Sequence, residues 1–211
     1  EVRGRVLVIR LDREAKRNAI DADMAEGIDA ALNRLEDDPD LWVGVLTGSR
    51  SVFCAGTDMR AGVHTTERGG QYGIIRRHRT KPLIAAVEGA ALGGGFEVVL
   101  PKALPRNVAR ELLLTGDSID AKRAHRLGLA NLVCAPGEAL DEAVTLADRI
   151  CRNGPVAVRE TMRFLASLDA PDEAHGWEET LESEDVIRNA EDTREGVTAF
   201  FEKRDPSWSG R

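Results

Sequence analysis

Residues 89–97 read Gly89-Ala90-Ala91-Leu92-Gly93-Gly94-Gly95-Phe96-Glu97. A strand-like run enters three consecutive glycines and leaves into apolar Phe96, Val98, Val99 and Leu100. Each glycine in a helix interior costs about 1 kcal/mol relative to Ala, so the triplet is poorly suited to the middle of a helix. It suits a helix start where a ligand must touch backbone. Free N–H groups and the positive end of the macrodipole meet there, and no Cβ blocks the approach. Such a start favours an anion, either a phosphate or an oxyanion that develops during reaction. Tight packing of a turn against a neighbouring strand would use the same glycines. A P-loop is excluded, because no Gly-Lys-Ser/Thr follows.

Upstream, three apolar runs read as strands. Leu83 to Val87 is short and apolar enough to be buried on both faces. Trp42 to Thr47 ends at Gly48, and Arg5 to Leu11 alternates and is rich in Val and Ile. Between the first two in chain order, Asp21 opens an amphipathic helix with Met24, Ile28, Ala31, Leu32 and Leu35 on one face. Strands alternating with helices imply βαβ units and a mostly parallel sheet. From Pro105 onward the pattern is mainly helical, over 107–114, 121–127, 140–151, 156–168, 173–188 and 193–202. Leu127 to Val133 reads as a short turn into a strand. The expected division is an α/β core over 1–153 and a helical region over 154–211, meeting at Gly154-Pro155.

The chain carries 211 residues and a net charge of −7, with no basic run longer than Arg76-Arg77-His78-Arg79, which argues against nucleic acid as a partner. No apolar stretch approaches the ~18 residues that would cross a bilayer, and no signal-peptide pattern opens the chain. Cys54, Cys134 and Cys151 are scattered and odd in number, which suits free thiols in a reducing cytoplasm. His64, His78, His125 and His175 stand alone, so no metal site is expected.

A second small-residue loop, Phe53-Cys54-Ala55-Gly56-Thr57-Asp58-Met59, follows the strand that ends at Thr47. Ala55 and Gly56 again let backbone approach a ligand. A plain strand-to-helix loop with Asp58 as N-cap would read the same way. Taken together, the two loops resemble the crotonase, or enoyl-CoA hydratase/isomerase, family. Its members carry C-A-G-x-D and, some thirty to forty residues later, G-x-A-L-G-G-G-x-E. The resemblance extends to Arg17-Asn18-Ala19-Ile20, Lys81-Pro82 and Leu112-Leu113-Leu114-Thr115-Gly116. It continues in the tail, through Glu195-Gly196, the run Ala199 to Arg204, Pro206 and Trp208.

The resemblance implies an α/β crotonase-like spiral of ββα units with a helical C-terminal region used for oligomerisation, as a homotrimer or hexamer. It implies an oxyanion hole made by the N–H groups of Thr57 and Gly94, which would stabilise a thioester enolate. Glu97, one turn after Gly94 and on the same helix face, would be a catalytic glutamate that handles water or a proton. A first-turn carboxylate that only complements the helix dipole is the alternative. Lys16, Arg17, Ala19, Ala55, Asp58 and Lys203 fall where the family binds coenzyme A, although Lys16 and Lys203 would look the same as solvated surface charges. No cofactor is expected, since coenzyme A is part of the acyl-CoA substrate. The implied reaction is hydration of a 2-enoyl-CoA or double-bond isomerisation, within lipid or fatty-acid metabolism. A CoA-thioester hydrolase, decarboxylase or dehydratase, or a non-enzymatic acyl-CoA-binding relative, would share the same loops.

One departure from the family is large. In the hydratases the glycine-rich helix continues into another strand and an F-G-x-P-E loop that supplies a second glutamate. Here Leu100 is followed at once by Pro101-Lys102-Ala103-Leu104-Pro105, and a few dozen family residues have no counterpart between 100 and 101. Proline should break the helix after roughly two turns. The family form of both flanks favours a segment lying outside these 211 residues over a true excision. The second catalytic acid therefore has no candidate in the chain.

Overall fold

The computed structural model describes residues 1–92 and 96–211, apart from the side chains of 96–99 and 169–173. Two compact units divide the chain, Glu1–Leu168 and Asp169–Arg211. The first holds strands β1 (Val2–Arg3) and β2 (Val6–Arg10), helix α1 (Ala22–Asp37), and strands β3 (Val43–Thr47), β4 (Val52–Ala55), β5 (Thr65–Thr66), β6 (Gly70–Gln71), β7 (Leu83–Ala86) and β8 (Ala90–Leu92). Helices α2 (Phe96–Ala103), α3 (Arg106–Thr115), α4 (Ala121–Arg126) and α5 (Ala139–Cys151) follow. Helix α6 (Pro155–Asn189) begins in the first unit and continues into the second, which also contains α7 (Glu191–Glu202).

The main sheet has the order β1-β2-β3-β7, with β1 antiparallel to β2 and the other pairs parallel. Side chains alternate across a strand, and β2 and β3 use both faces. Leu7, Ile9 and Leu46 pack with Ile28, Leu32 and Leu35 of α1. Val6, Val8, Val43 and Val45 pack with Ala143 and Ala147 of α5. The sheet is therefore the middle of three layers. Leu32 and Leu35 are 1% and 0% exposed; burial of such a side chain contributes about 1.5–3 kcal/mol.

Helix α1 is fixed at both ends. The Asp21 side chain accepts the Met24 N–H at 3.0 Å, as an N-cap should. At the other end buried Lys81 donates from Nζ to the carbonyls of Leu35 and Asp38, both at 2.7 Å. A cation there satisfies orphan carbonyls and complements the negative end of the helix dipole. Burial holds the Lys81 ammonium below the usual lysine pKa range.

Three sequence expectations are corrected. Strand β7 is not buried on both faces: it lies at the edge of the sheet, and Ala85 is exposed. Its apolar run reflects packing of Leu83 and Ile84 against the two cores. Residues 127–133 form no strand. Instead Gly128 turns at φ +84°, and the N–H groups of Leu129 and Ala130 bond back to the Ala124 carbonyl. The helices expected over 156–168 and 173–188 are one continuous helix, α6, whose backbone runs through Pro171.

The chain passes directly from Leu100 into Pro101, and α2 carries Pro101 in its last turn before ending at Ala103. Leu100, Leu104, Val108 and Ala109 then pack together as a small cluster between α2 and α3. Among the described residues no helix is long and apolar enough to cross a membrane.

Candidate active site

The site begins with the turn after β2. Arg17 and Asn18 both adopt left-handed backbone, at φ 53° and 54°. Asn tolerates that conformation better than most residues. Asn18 is fully buried, and every polar group it carries is used. Its Nδ2 donates to the carbonyls of Val52 and Phe53, each at 3.1 Å. Its Oδ1 accepts the Arg13 N–H at 2.9 Å, and its carbonyl accepts the Cys54 thiol at 3.2 Å. One side chain thus joins the turn to β4.

The join continues along the backbone. Ala55 donates to the Arg17 carbonyl at 3.0 Å, Ile20 to Gly56 at 2.8 Å, and Asp58 to Ile20 at 2.9 Å. These bonds centre a parallel bridge on Ile20 and Thr57. The bridge is made by the Gly56 carbonyl and the Asp58 N–H on either side of Thr57, so the Thr57 N–H is not spent on the 17–20 turn. Among the described residues no acceptor takes it. Strand β4 pairs in parallel with β8, Cys54 beside Ala91 and Ala55 beside Leu92.

A glycine makes the approach of these strands possible at one position, Gly89. Gly56 sits at φ +84°, and a Cβ there would lie 3.8 Å from Leu92. Gly89, at φ +64°, leaves no room at all: a Cβ would meet the Ser51 carbonyl oxygen at 2.1 Å. Gly89 therefore sets the distance between β8 and β4, and β8 ends at Leu92, the residue before the glycine triplet.

Arg13 clamps the second loop. Its guanidinium reaches Asp58 at 2.8 Å, Asp21 at 2.9 Å and the Ala19 carbonyl at 2.9 Å. Asp58 also accepts the Arg60 N–H at 3.0 Å. The Arg13 hydrogen bond and then the Arg60 amide hold the Asp58 carboxyl below the usual aspartate range. In the described structure Asp58 closes the loop by this pairing.

Of the site residues expected from sequence, the first unit brings Lys16, Arg17, Ala19, Ala55, Thr57 and Asp58 to one loop pair. Lys16 and Arg17 are exposed, while Ala19, Ala55 and Thr57 are partly buried. Lys203 belongs to the second unit, where it caps α7 at a left-handed φ of 54°. Gly94 lies outside the described residues, as does the side chain of Glu97; the Glu97 backbone is the second residue of α2. Sequence reasoning passed over Arg13, Asn18 as an individual contributor, and Tyr72, whose hydroxyl bonds the Thr57 hydroxyl. Among the described residues no cluster of His, Cys, Asp and Glu could hold a metal ion.

The described part of the site is thus a loop that carries Thr57, set beside β8, whose last residue Leu92 precedes the glycine triplet in the sequence. The chain belongs to the enoyl-CoA hydratase/isomerase family, whose model matches residues 1–101 and 97–211. The two matched segments overlap over residues 97–101, around the junction after Leu100. The chain is 32% identical to the enoyl-CoA hydratase EchA19 of Mycobacterium tuberculosis, over 254 aligned positions covering 100% of this chain and 96% of the relative. It is 32% identical to the (E)-benzylidenesuccinyl-CoA hydratase of Thauera aromatica, with 100% and 98% covered. A crystal structure of carnitinyl-CoA hydratase from Mycobacterium avium superposes with a TM-score of 0.93 at 32% identity, covering 100% of this chain and 97% of that one. The architecture is thus the crotonase fold. The 254 aligned positions exceed the 211 residues of the chain, so the alignment with EchA19 carries gaps.

Proposed function

We propose that this protein hydrates a short or medium 2-enoyl-CoA to the 3-hydroxyacyl-CoA through an enolate held by backbone N–H groups. The observation that carries the reading is the Thr57 N–H, which meets no acceptor among the described residues in a loop that follows the β4–β8 pair. Thr57 and Gly94 would polarise the thioester carbonyl. Water would add its oxygen at C3, and a proton would be delivered at C2. Glu97 would hold the water and exchange the proton, and Lys16, Arg17, Ala19 and Ala55 would border the coenzyme A moiety. Lys203 would meet a CoA phosphate. The chemistry calls for no metal or redox group, because hydrogen bonds carry the enolate. The three free thiols suit a reducing cytoplasm.

The test is spectrophotometric. Adding the protein to a series of 2-enoyl-CoA thioesters of increasing chain length should remove the absorbance of the conjugated thioester. Absence of both turnover and binding across the series would refute the reading. Double-bond isomerisation by the same hole is the second reading, and the family description names both reactions.

We further propose a homotrimer or hexamer. In the first unit α6 exposes Val156, Phe164, Leu165 and Leu168, and the second unit exposes Leu181, Val186, Ile187 and Phe200. Apolar exposure on that scale is characteristic of surfaces that become buried on association. Light scattering at micromolar concentration should return three or six times the chain mass, and a stable monomer would refute the assembly.

A further inference from the structure

We propose that Tyr72 is a positioning residue for the Thr57 N–H, acting through the Thr57 hydroxyl. The inference rests on the reading of Thr57 as an oxyanion donor. Tyr72 is the only tyrosine of the chain and is 8% exposed. Its hydroxyl shares a 2.5 Å hydrogen bond with Thr57 Oγ1, fifteen residues earlier in the chain. Its backbone is left-handed, at φ +57°. A bulky L-residue rarely adopts that region, and it persists only where the surroundings over-determine it.

The surroundings do so without help from the 53–59 loop. The Tyr72 N–H donates to the His64 carbonyl at 2.8 Å. The His64 ring reaches Glu26 of α1 at 2.7 Å. Five residues after Tyr72, buried Arg77 pairs with Asp29 of α1 at 2.7 Å. A Cβ on Gly73 would come within 2.3 Å of the Ala25 carbonyl, so the turn lies directly against the helix. Tyr72 is therefore a post fixed to α1.

Thr57 lacks such support. Its neighbours bond to Ile20, and among the described residues its own N–H meets no acceptor. The hydroxyl bond to Tyr72 restrains it independently. A β-branched side chain has few χ1 states, so fixing Oγ1 limits rotation of the residue as a whole. An oxyanion donor must sit 2.7–3.1 Å from the developing charge, so small rotations of the N–H weaken it.

The test combines kinetics with the spectrum of a bound, slowly reacting 2-enoyl thioester, whose absorbance moves to longer wavelength when its carbonyl is polarised. Wild-type protein should show the red shift. Tyr72→Phe, which keeps the ring, should reduce that shift and lower kcat about 3- to 10-fold, the scale of one neutral hydrogen bond, with a smaller change in KM. Thr57→Val leaves the Tyr72 ring in place and should lose as much, and the double variant no more than either single one. A wild-type-sized shift and kcat in Tyr72→Phe, with only a lower melting temperature, would overturn the inference and leave the oxyanion reading intact. Additive losses in the double variant would also overturn it. A wild-type protein that binds the thioester without any shift would overturn the oxyanion reading and this inference with it.

Discussion

Glu97→Gln should leave acyl-CoA binding nearly unchanged and lower kcat about 10²–10⁴-fold, the usual contribution of a general acid–base. Gln keeps the shape and a hydrogen-bonding end but cannot exchange a proton. Glu97 is the second residue of α2 and follows Gly94 by three residues in the sequence. If Glu97 only complements the helix dipole, the same change should cost about 0.3–1 kcal/mol of stability and little rate. The two roles move different observables. Steady-state kinetics beside a thermal melt separates them, and wild-type kcat with a slightly lower melting temperature would remove Glu97 from the chemistry. The stakes are high for this residue, because the family's second acid has no counterpart between Leu100 and Pro101.

Asn18→Ala should be strongly destabilising. It would remove the Nδ2 donor from the Val52 and Phe53 carbonyls and the Oδ1 acceptor from the Arg13 amide, although the Val52 carbonyl keeps the Ser49 N–H. A buried polar group left without a partner costs about 1–3 kcal/mol, so a loss of roughly 2 kcal/mol or more is expected. Alanine at φ 54° adds strain to that loss. Urea denaturation followed by a spectroscopic signal would measure it. Turnover should fall as well, since the same bonds hold the loop that carries Thr57. A loss below about 1 kcal/mol would mean that water replaces the side chain, and the account of how the 17–20 turn supports the site would be wrong.

The fold was legible where periodicity is strong. The apolar runs of β2 and β3 are strands buried on both faces, the 3.6-residue repeat of α1 coincides with its burial, and Asp21 caps α1 as its sequence position suggests. Short elements were not legible. Strands β4 and β8 have four and three residues, too few for a period to emerge, and their pairing is parallel and distant in sequence. Pro171, in Asp169-Ala170-Pro171-Asp172, reads as a helix break, yet the backbone of α6 continues through it. Leu127 to Val133 carries strand-like residues, but local bonds back to Ala124 take the backbone donors that a sheet would need.

For the site, the resemblance singled out Thr57, Gly94 and Glu97, and the residues alone left each with a bland alternative. What the sequence could not show was support at long range. Arg13 reaches Asp58 across 45 residues, Asn18 reaches β4 across 34 and 35, and Lys81 reaches the end of α1 across 43 and 46. None of these partners lies within a window that a local pattern can scan. The spacing of Arg13 before Asn18, and of Tyr72 between glycines, acquires meaning only when the strands are in place.

The central claim is that the loop pair of Thr57 and the glycine triplet directs water onto a 2-enoyl-CoA. Incubating the protein with a 2-enoyl-CoA in ¹⁸O-labelled water and weighing the product by mass spectrometry tests it directly. The account predicts a product heavier by one water, with the label on the acyl group. An unlabelled product of unchanged mass would contradict hydration, and recovery of unbound, unreacted thioester would contradict the assignment of the site itself.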